Sequence, residues 1–224
     1  RRPTPTASRT VTEWDFAAGT LFVSGLPTGE FAATLKQNPY PVGAGAQSAS
    51  VEIYPAVHDQ METRAPIRAM EIVDLDGVQT VVAAYTCTPL VTLPTSSLTD
   101  GSHVTGNTIA ELGYGNTPLE VLSFSVYDQE QNASNFVMVI NRELQANLIP
   151  LEAVAEAANG EGLSQQVGMG SVAGVATTQT PMSGVYLAAD QDQQILLALK
   201  RNLDTGAMDL VSIRTGVYLR LSDY

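Results

Sequence analysis

Apolar and polar residues alternate with a period of two along most of this chain. The pattern is clearest from Gln193 to Tyr224. There Ile195, Leu197 and Leu199 fall on one side of an extended backbone, Val211 and Ile213 on one side of the next run, and Val217, Leu219 and Leu221 on one side of the last. Period-two alternation rich in β-branched residues marks half-buried strands. Asn202, Asp204 and Gly206 supply turn chemistry between the first two runs, and Thr215-Gly216 between the last two. The pattern predicts a three-stranded antiparallel meander closing the fold.

The same reading extends upstream. Glu13 to Leu35 holds short apolar segments broken at Gly19, Gly25 to Pro27 and Gly29, and predicts two or three short strands. Trp14 and Phe16, two apart, share a side that is expected to face the core. Met70 to Ala84 carries Asp76-Gly77 between two apolar runs, a strong hairpin signal. Leu119 to Tyr127 and Phe136 to Ile140 read as strands around a polar turn, Asp128 to Asn135. One segment has helical periodicity. In Pro150 to Ala158, Leu151, Val154, Ala155 and Ala158 share a face, Pro150 suits the start and Asn159-Gly160 the stop. Gln37–Ser50 and Thr95–Gly115, rich in Gly, Pro, Ser and Thr, are expected to be long loops lying side by side, and Gly160 to Pro181 a third connection. No internal repeat is visible in the sequence.

Composition narrows the class. At 44% hydrophobic and 15% charged, the 224 residues can bury a core, and Thr, Ser, Gln, Asn and Gly take most polar positions. Such surfaces are common in capsids, fibres and lectins. A net charge of −12 disfavours nucleic acid and anionic membranes as partners, because both select a basic face. No run of 18 apolar residues is present. A single cysteine, Cys87, cannot form an intrachain disulfide, which favours folding in the cytoplasm.

Candidate chemistry is sparse. His58 and His103 stand apart, without HxH, HExxH or CxxC spacing, so neither a metal nor a cofactor is expected. Asp74 to Gly77 lacks the ligand spacing of a calcium loop and reads as a turn. Gly168, Gly170 and Gly174 miss dinucleotide-fingerprint spacing and its strand–helix context. Asp204-Thr205-Gly206-Ala207 matches the signature of retroviral-type aspartic proteases. Its flanks, Arg201 and Asn202, are polar where a buried catalytic pair needs apolar walls, and only 18 residues follow Gly206. It is expected to be a turn, and no catalytic residue is assigned.

The order of elements in the C-terminal half carries a resemblance. Phe136 to Ile140 is followed by Leu148-Ile149-Pro150, the short helix, a Gly-containing loop, Leu196 to Leu199, the Asp204-Thr205-Gly206 turn and Asp209 to Val217. This resembles the C-terminal part of the protruding domain of calicivirus-type capsid proteins, over Leu119 to Tyr224. The resemblance implies a mainly β fold, an antiparallel barrel or sandwich-like protruding domain with one short α-helix. Residues 1–12 would form a hinge, 13–118 a reduced outer β subdomain with long polar loops, and 119–224 an inner subdomain with the helix at 150–158 and the C-terminal meander. It further implies a structural module on the virion surface, assembled in the host cytoplasm. This module would be joined to the capsid shell domain of the same polypeptide, would form a homodimer, and would attach to a host receptor such as a glycan. A trimeric phage or bacterial fibre or adhesin-like module, and an aspartic-protease-like enzyme at Asp204, are the competing readings. In the two long loops Asp100, Ser102, His103 and Asn107 are expected to hydrogen-bond sugar hydroxyls, and Tyr40 and Tyr114 to stack on sugar rings. Asn132-Ala133-Ser134 is a glycosylation sequon by pattern.

Overall fold

The structure, a computed structural model, describes residues 10–27, 33–86, 89–192 and 194–219. Among these residues the strands assemble into four sheets, each laid down largely as a sequential up-and-down meander. The first holds β1 (Val11–Ala17), β2 (Thr20–Gly25), β3 (Thr34–Pro39) and β4 (Gln47–Glu52), with β8 (His103–Thr105) added parallel to β4. The second runs β5 (Ile67–Leu75), β6 (Val78–Tyr85), β7 (Pro89–Pro94), β9 (Asn107–Leu112) and β13 (Val172–Gly174). The third runs β10 (Pro118–Tyr127), β11 (Ala133–Asn141), β12 (Ala146–Pro150) and β14 (Thr178–Thr180). The fourth is β15 (Val185–Asp192), β16 (Ile195–Arg201) and β17 (Met208–Arg214).

The sheets stack face to face, so each interface is sandwich-like. Phe22, Leu35, Val51, Val81, Ala83 and Leu93 fill the space between the first and second sheets. Val82, Leu90, Ile109, Val121, Val137 and Ile149 fill that between the second and third. Phe124, Phe136, Met138, Leu196, Ala198 and Ile213 fill that between the third and fourth. This explains two stretches of sequence that do not alternate. Val81 to Tyr85 and Phe136 to Ile140 are apolar at every position because β6 and β11 lie in inner sheets whose two faces are both covered.

The stack is a fan. In each sheet the first strand in sequence (β1, β5, β10, β15) is an edge. Consecutive first strands approach within 8 Å, Cα to Cα, closer than the ~10 Å between stacked sheets. The sheets therefore converge on a seam and splay outward. α1 (Leu151–Ala158) fills the wedge between the second and third sheets, burying Val154 and Ala155 with Leu151 and Ala158 half-buried beside them. Leu98 plugs the wedge between the first two. This is the layout of successive blades in a β-propeller.

The mainly β class, the sandwich-like packing and the helix are as the sequence predicts; no sheet closes into a barrel among the described residues. Asp76 (φ +54°) and Gly77 (φ +84°) form the predicted hairpin, with Asp74 Oδ1 accepting from Gly77 N at 2.7 Å. Other expectations are corrected. A C-terminal meander exists, but it begins one strand earlier, at Val185. The expected last strand is a helical turn, α2 (Thr215–Tyr218), in the described part, while Leu221 lies outside the described residues. Thr215 binds Gln194 O through both its N–H and its hydroxyl, which turns the chain across the sheet end. Ile195, Leu197 and Leu199 do share a face, but the core takes the other one, Leu196 and Ala198. Trp14 and Phe16 face solvent, 61% and 49% exposed, because none of the other sheets among the described residues packs on the outer face of the first sheet.

The expected long loops contain strands. Gln37–Ser50 includes the end of β3 and the start of β4, leaving a turn around Tyr40 to Ala46. Thr95–Gly115 includes β8 and β9, and the Gly160 to Pro181 connection includes β13 and β14. In β9 the polar Asn107, Thr108 and Glu111 hide the strand, and Glu111 is the charged one. That side chain is fully buried and accepts a hydrogen bond from Ala56 N at 2.6 Å. The boundary at Pro118 falls between the second and third sheets, and the core there draws on both sides of it. Most of the expected hinge, residues 1–9, lies outside the described residues. Val11 and Thr12 belong to β1.

Candidate functional site

The structure brings together three of the six predicted site residues, with partners the sequence pattern does not reveal. β8 pairs in parallel with β4, Ser50 opposite His103 and Glu52 opposite Thr105. His103 sits between the two β4 side chains. Its Nδ1 lies 2.9 Å from Ser50 Oγ and its Nε2 3.1 Å from Glu52 Oε2. The tautomer protonated at Nε2 donates to Glu52 and accepts the Ser50 hydroxyl at Nδ1. Thr105 Oγ1 donates to the other Glu52 oxygen at 2.8 Å. These bonds, Thr105 first and His103 after it, hold the Glu52 carboxyl below its ordinary pKa. Asp100 Oδ1 accepts from Ser48 N at 3.2 Å, and Gly101 N donates to Ser48 O. Ser102 Oγ is turned inward to Thr99 O at 2.8 Å and Ser97 O at 3.2 Å. The result is a part-exposed polar ledge of hydroxyls, carboxylates and an imidazole along one edge of the first sheet.

The other three predicted residues lie elsewhere. Tyr40, 70% exposed, is held by its N–H to Gly19 O, and its ring meets Phe16 edge-on at 6.0 Å between centroids. It crowns the apolar side of the same sheet face, formed by Trp14, Phe16, Leu21 and Val23. Asn107 serves the architecture instead. Its Nδ2 shares two N–H groups among Ala157 O and Ala158 O, at the end of α1, and Gly160 O just beyond it. Tyr114 is exposed in a turn between Gly113 and Gly115, beside Gly170.

A second constellation lies at the seam. The first strands are edges, so their outward N–H groups need acceptors. Carboxylates supply them. Glu13 Oε1 accepts from Trp14 N at 2.8 Å, Asp15 Oδ1 from Phe16 N at 2.7 Å, and Asp15 Oδ2 reaches to Ile72 N on β5 at 2.7 Å. Glu71 Oε1 accepts the Ser123 hydroxyl of β10 at 3.0 Å, while its Oε2 is buried without a hydrogen-bond partner among the described residues. Burial, with repulsion from Asp15 and Asp190, pushes the Glu71 carboxyl up to about 7. Burial, with repulsion from Glu13 and Glu71, pushes Glu120 up to about 8. Burial also raises Glu13. The readable signal is an acid flanked by apolar residues in three of the four first strands: Trp14-Asp15-Phe16, Met70-Glu71-Ile72 and Leu119-Glu120-Val121. Among the described residues no group of three or more His, Cys, Asp or Glu is disposed to hold a metal ion.

Asp204 occupies an exposed hairpin turn between β16 and β17. Asn202 Oδ1 accepts from Asp204 N and Thr205 N, Gly206 N donates to Asn202 O, and Gly206 takes φ +74°. These are the bonds of a turn. Set against known families and curated proteins, the chain matches no family model and no curated protein.

Proposed function

We propose that this protein is a surface attachment module, the protruding part of a non-enveloped virus capsid, and that it engages a host glycan through the ledge on β4 and β8. The observation that supports this reading is the row of hydrogen-bonding side chains, His103 and Thr105 exposed and Ser50 and Glu52 half-buried, held in fixed register by the parallel β4–β8 pair. Sugar hydroxyls are recognised by such pre-set donors and acceptors, and a shallow flat site suits an extended oligosaccharide better than a small apolar ligand. The geometry favours recognition over acyl transfer at Ser50. Its own N–H is given to Ser102 O and that of Val51 to Ala33 O, so the nearest backbone donors that could hold an oxyanion are already used within the sheet.

The test is binding of the protein to a glycan array, followed by titration of the best ligand. His103→Ala and Glu52→Gln are expected to weaken binding about tenfold or more, each removing a charge-assisted or paired contact. Binding that is absent, or unchanged by both substitutions, overturns this reading.

A further inference from the structure

Three times in this chain the same event recurs: a sheet lays its face on the next, with its first strand beside the next first strand. Among the described residues two faces are left over, the outer face of the first sheet and the outer face of the fourth. Both are apolar where the rule would bury them. On the first sheet Trp14 and Phe16 stand out from β1, 61% and 49% exposed. On the fourth, Leu187 (54% exposed) and Leu210 (67%) flank half-buried Leu197 and Leu199. On the first sheet the apolar strip ends at β3, where Thr34, Lys36 and Asn38 occupy that face. Among the described residues the fourth sheet has three strands, so laid on the first sheet it would reach from β1 to β3 and leave the β4–β8 ledge open.

We infer that a second copy of this chain covers both faces at once. The fourth sheet of each copy lies on the first sheet of the other, with β15 beside the partner's β1 as β10 lies beside β15. Two identical heterologous contacts related by a two-fold axis then close a ring of eight sheets, within the four to eight blades that such radial stacks adopt. The area is adequate. A three-stranded face about seven residues long measures roughly 23 by 14 Å. Each copy contributes two such faces, roughly 650 Å² in projection. The corrugated accessible area is larger, close to the ~800 Å² per partner of a stable interface. Arg201 and Arg214, exposed at opposite ends of the fourth sheet's outer face, form no ion pair among the described residues. They frame the apolar strip and would lie at the wet rim. This contact does not depend on what the ledge binds.

Light scattering across a concentration series, on the protein without ligand, tests it. Twice the chain mass is expected. Trp14→Glu on one face and Leu210→Glu on the other should each weaken the dimer about tenfold or more, as loss of a central apolar anchor does. Both positions are exposed, so circular dichroism should show an unchanged fold. Mixing the two variants is the decisive step, because the mixed dimer regains one undamaged contact of its two and should reassociate more tightly than either variant alone. A monomer up to about 100 µM, weaker than interfaces of this size hold, overturns the proposal. So does a trimer, a dimer indifferent to one of the two faces, or a mixture that gains nothing. His103→Ala leaves the dimer intact, so failure of glycan binding and failure of dimerisation are read separately.

Discussion

At the residue scale the seam carboxylates dominate the electrostatics. Glu71 and Glu120 are ordinary acids in the unfolded chain and hold their protons up to about pH 7 and 8 when folded. The folded state therefore binds more protons than the unfolded state above the ordinary value of 4.5. The cost of burying these groups is absent below that pH, grows as pH rises through the window, and is complete above about 8. Stability should fall from pH 5 to pH 8 by on the order of 1–3 kcal/mol for each group. Urea denaturation at both pH values checks this. Glu71→Gln and Glu120→Gln should each raise stability at pH 8 and leave it little changed at pH 5. A wild-type profile flat across this range would refute the assignment. Asn107 carries a second prediction at this scale. Because its amide serves two carbonyls at the end of α1 and that of Gly160 just beyond it, Asn107→Ala should cost about 1–3 kcal/mol in the same measurement. A residue expected to touch ligand is then seen to hold the helix.

At the scale of elements, strand β16 gives the sharpest contrast between pattern and packing. Ile195, Leu197 and Leu199 form the more obviously hydrophobic face, yet the core takes Leu196 and Ala198. Leu196→Ala should cost about 2–5 kcal/mol, whereas Leu199→Ala should cost clearly less in the monomer. Equal losses would place the core on the wrong face. Alternation was legible here and its sense was not, because both faces of this strand are apolar. A different difficulty hid β9, where Asn107, Thr108 and the buried carboxylate of Glu111 leave only Ile109, Ala110 and Leu112 as apolar signal. Alternation also gave Val217 to Leu221 the look of a strand, although the chain is turned at Thr215 by bonds to Gln194 O, a partner 21 residues away.

At the scale of the whole molecule the fan decides which surfaces are available. Its two terminal faces are apolar, and its outer edge carries the ledge with Ser50, Glu52 and His103. The two proposed activities therefore use separate surfaces. Glycan titration of Trp14→Glu, at a concentration below its weakened dimer constant, should show ledge affinity per chain within about twofold of wild type, because distant sites act additively. A large loss would mean that the ledge is completed across the interface.

Some of this follows from the amino-acid order alone. Period-two runs and Gly- and Asp-containing turns specify strands and hairpins, and Pro150, an apolar stripe and Asn159-Gly160 specify the helix, because these signals act over a few residues of backbone. The turn identity of Asp204-Thr205-Gly206 is local in the same sense. What only the tertiary structure decided is which strands face which. The pairing of β4 with β8, about 50 residues apart, sets His103 between Ser50 and Glu52. The convergence of four first strands turns scattered acids into one seam. The order of sheets leaves Trp14 and Leu210 uncovered. Each is a relation between segments far apart in the chain, fixed by how sheets stack and splay, and nothing in the spacing of residues along one segment encodes it.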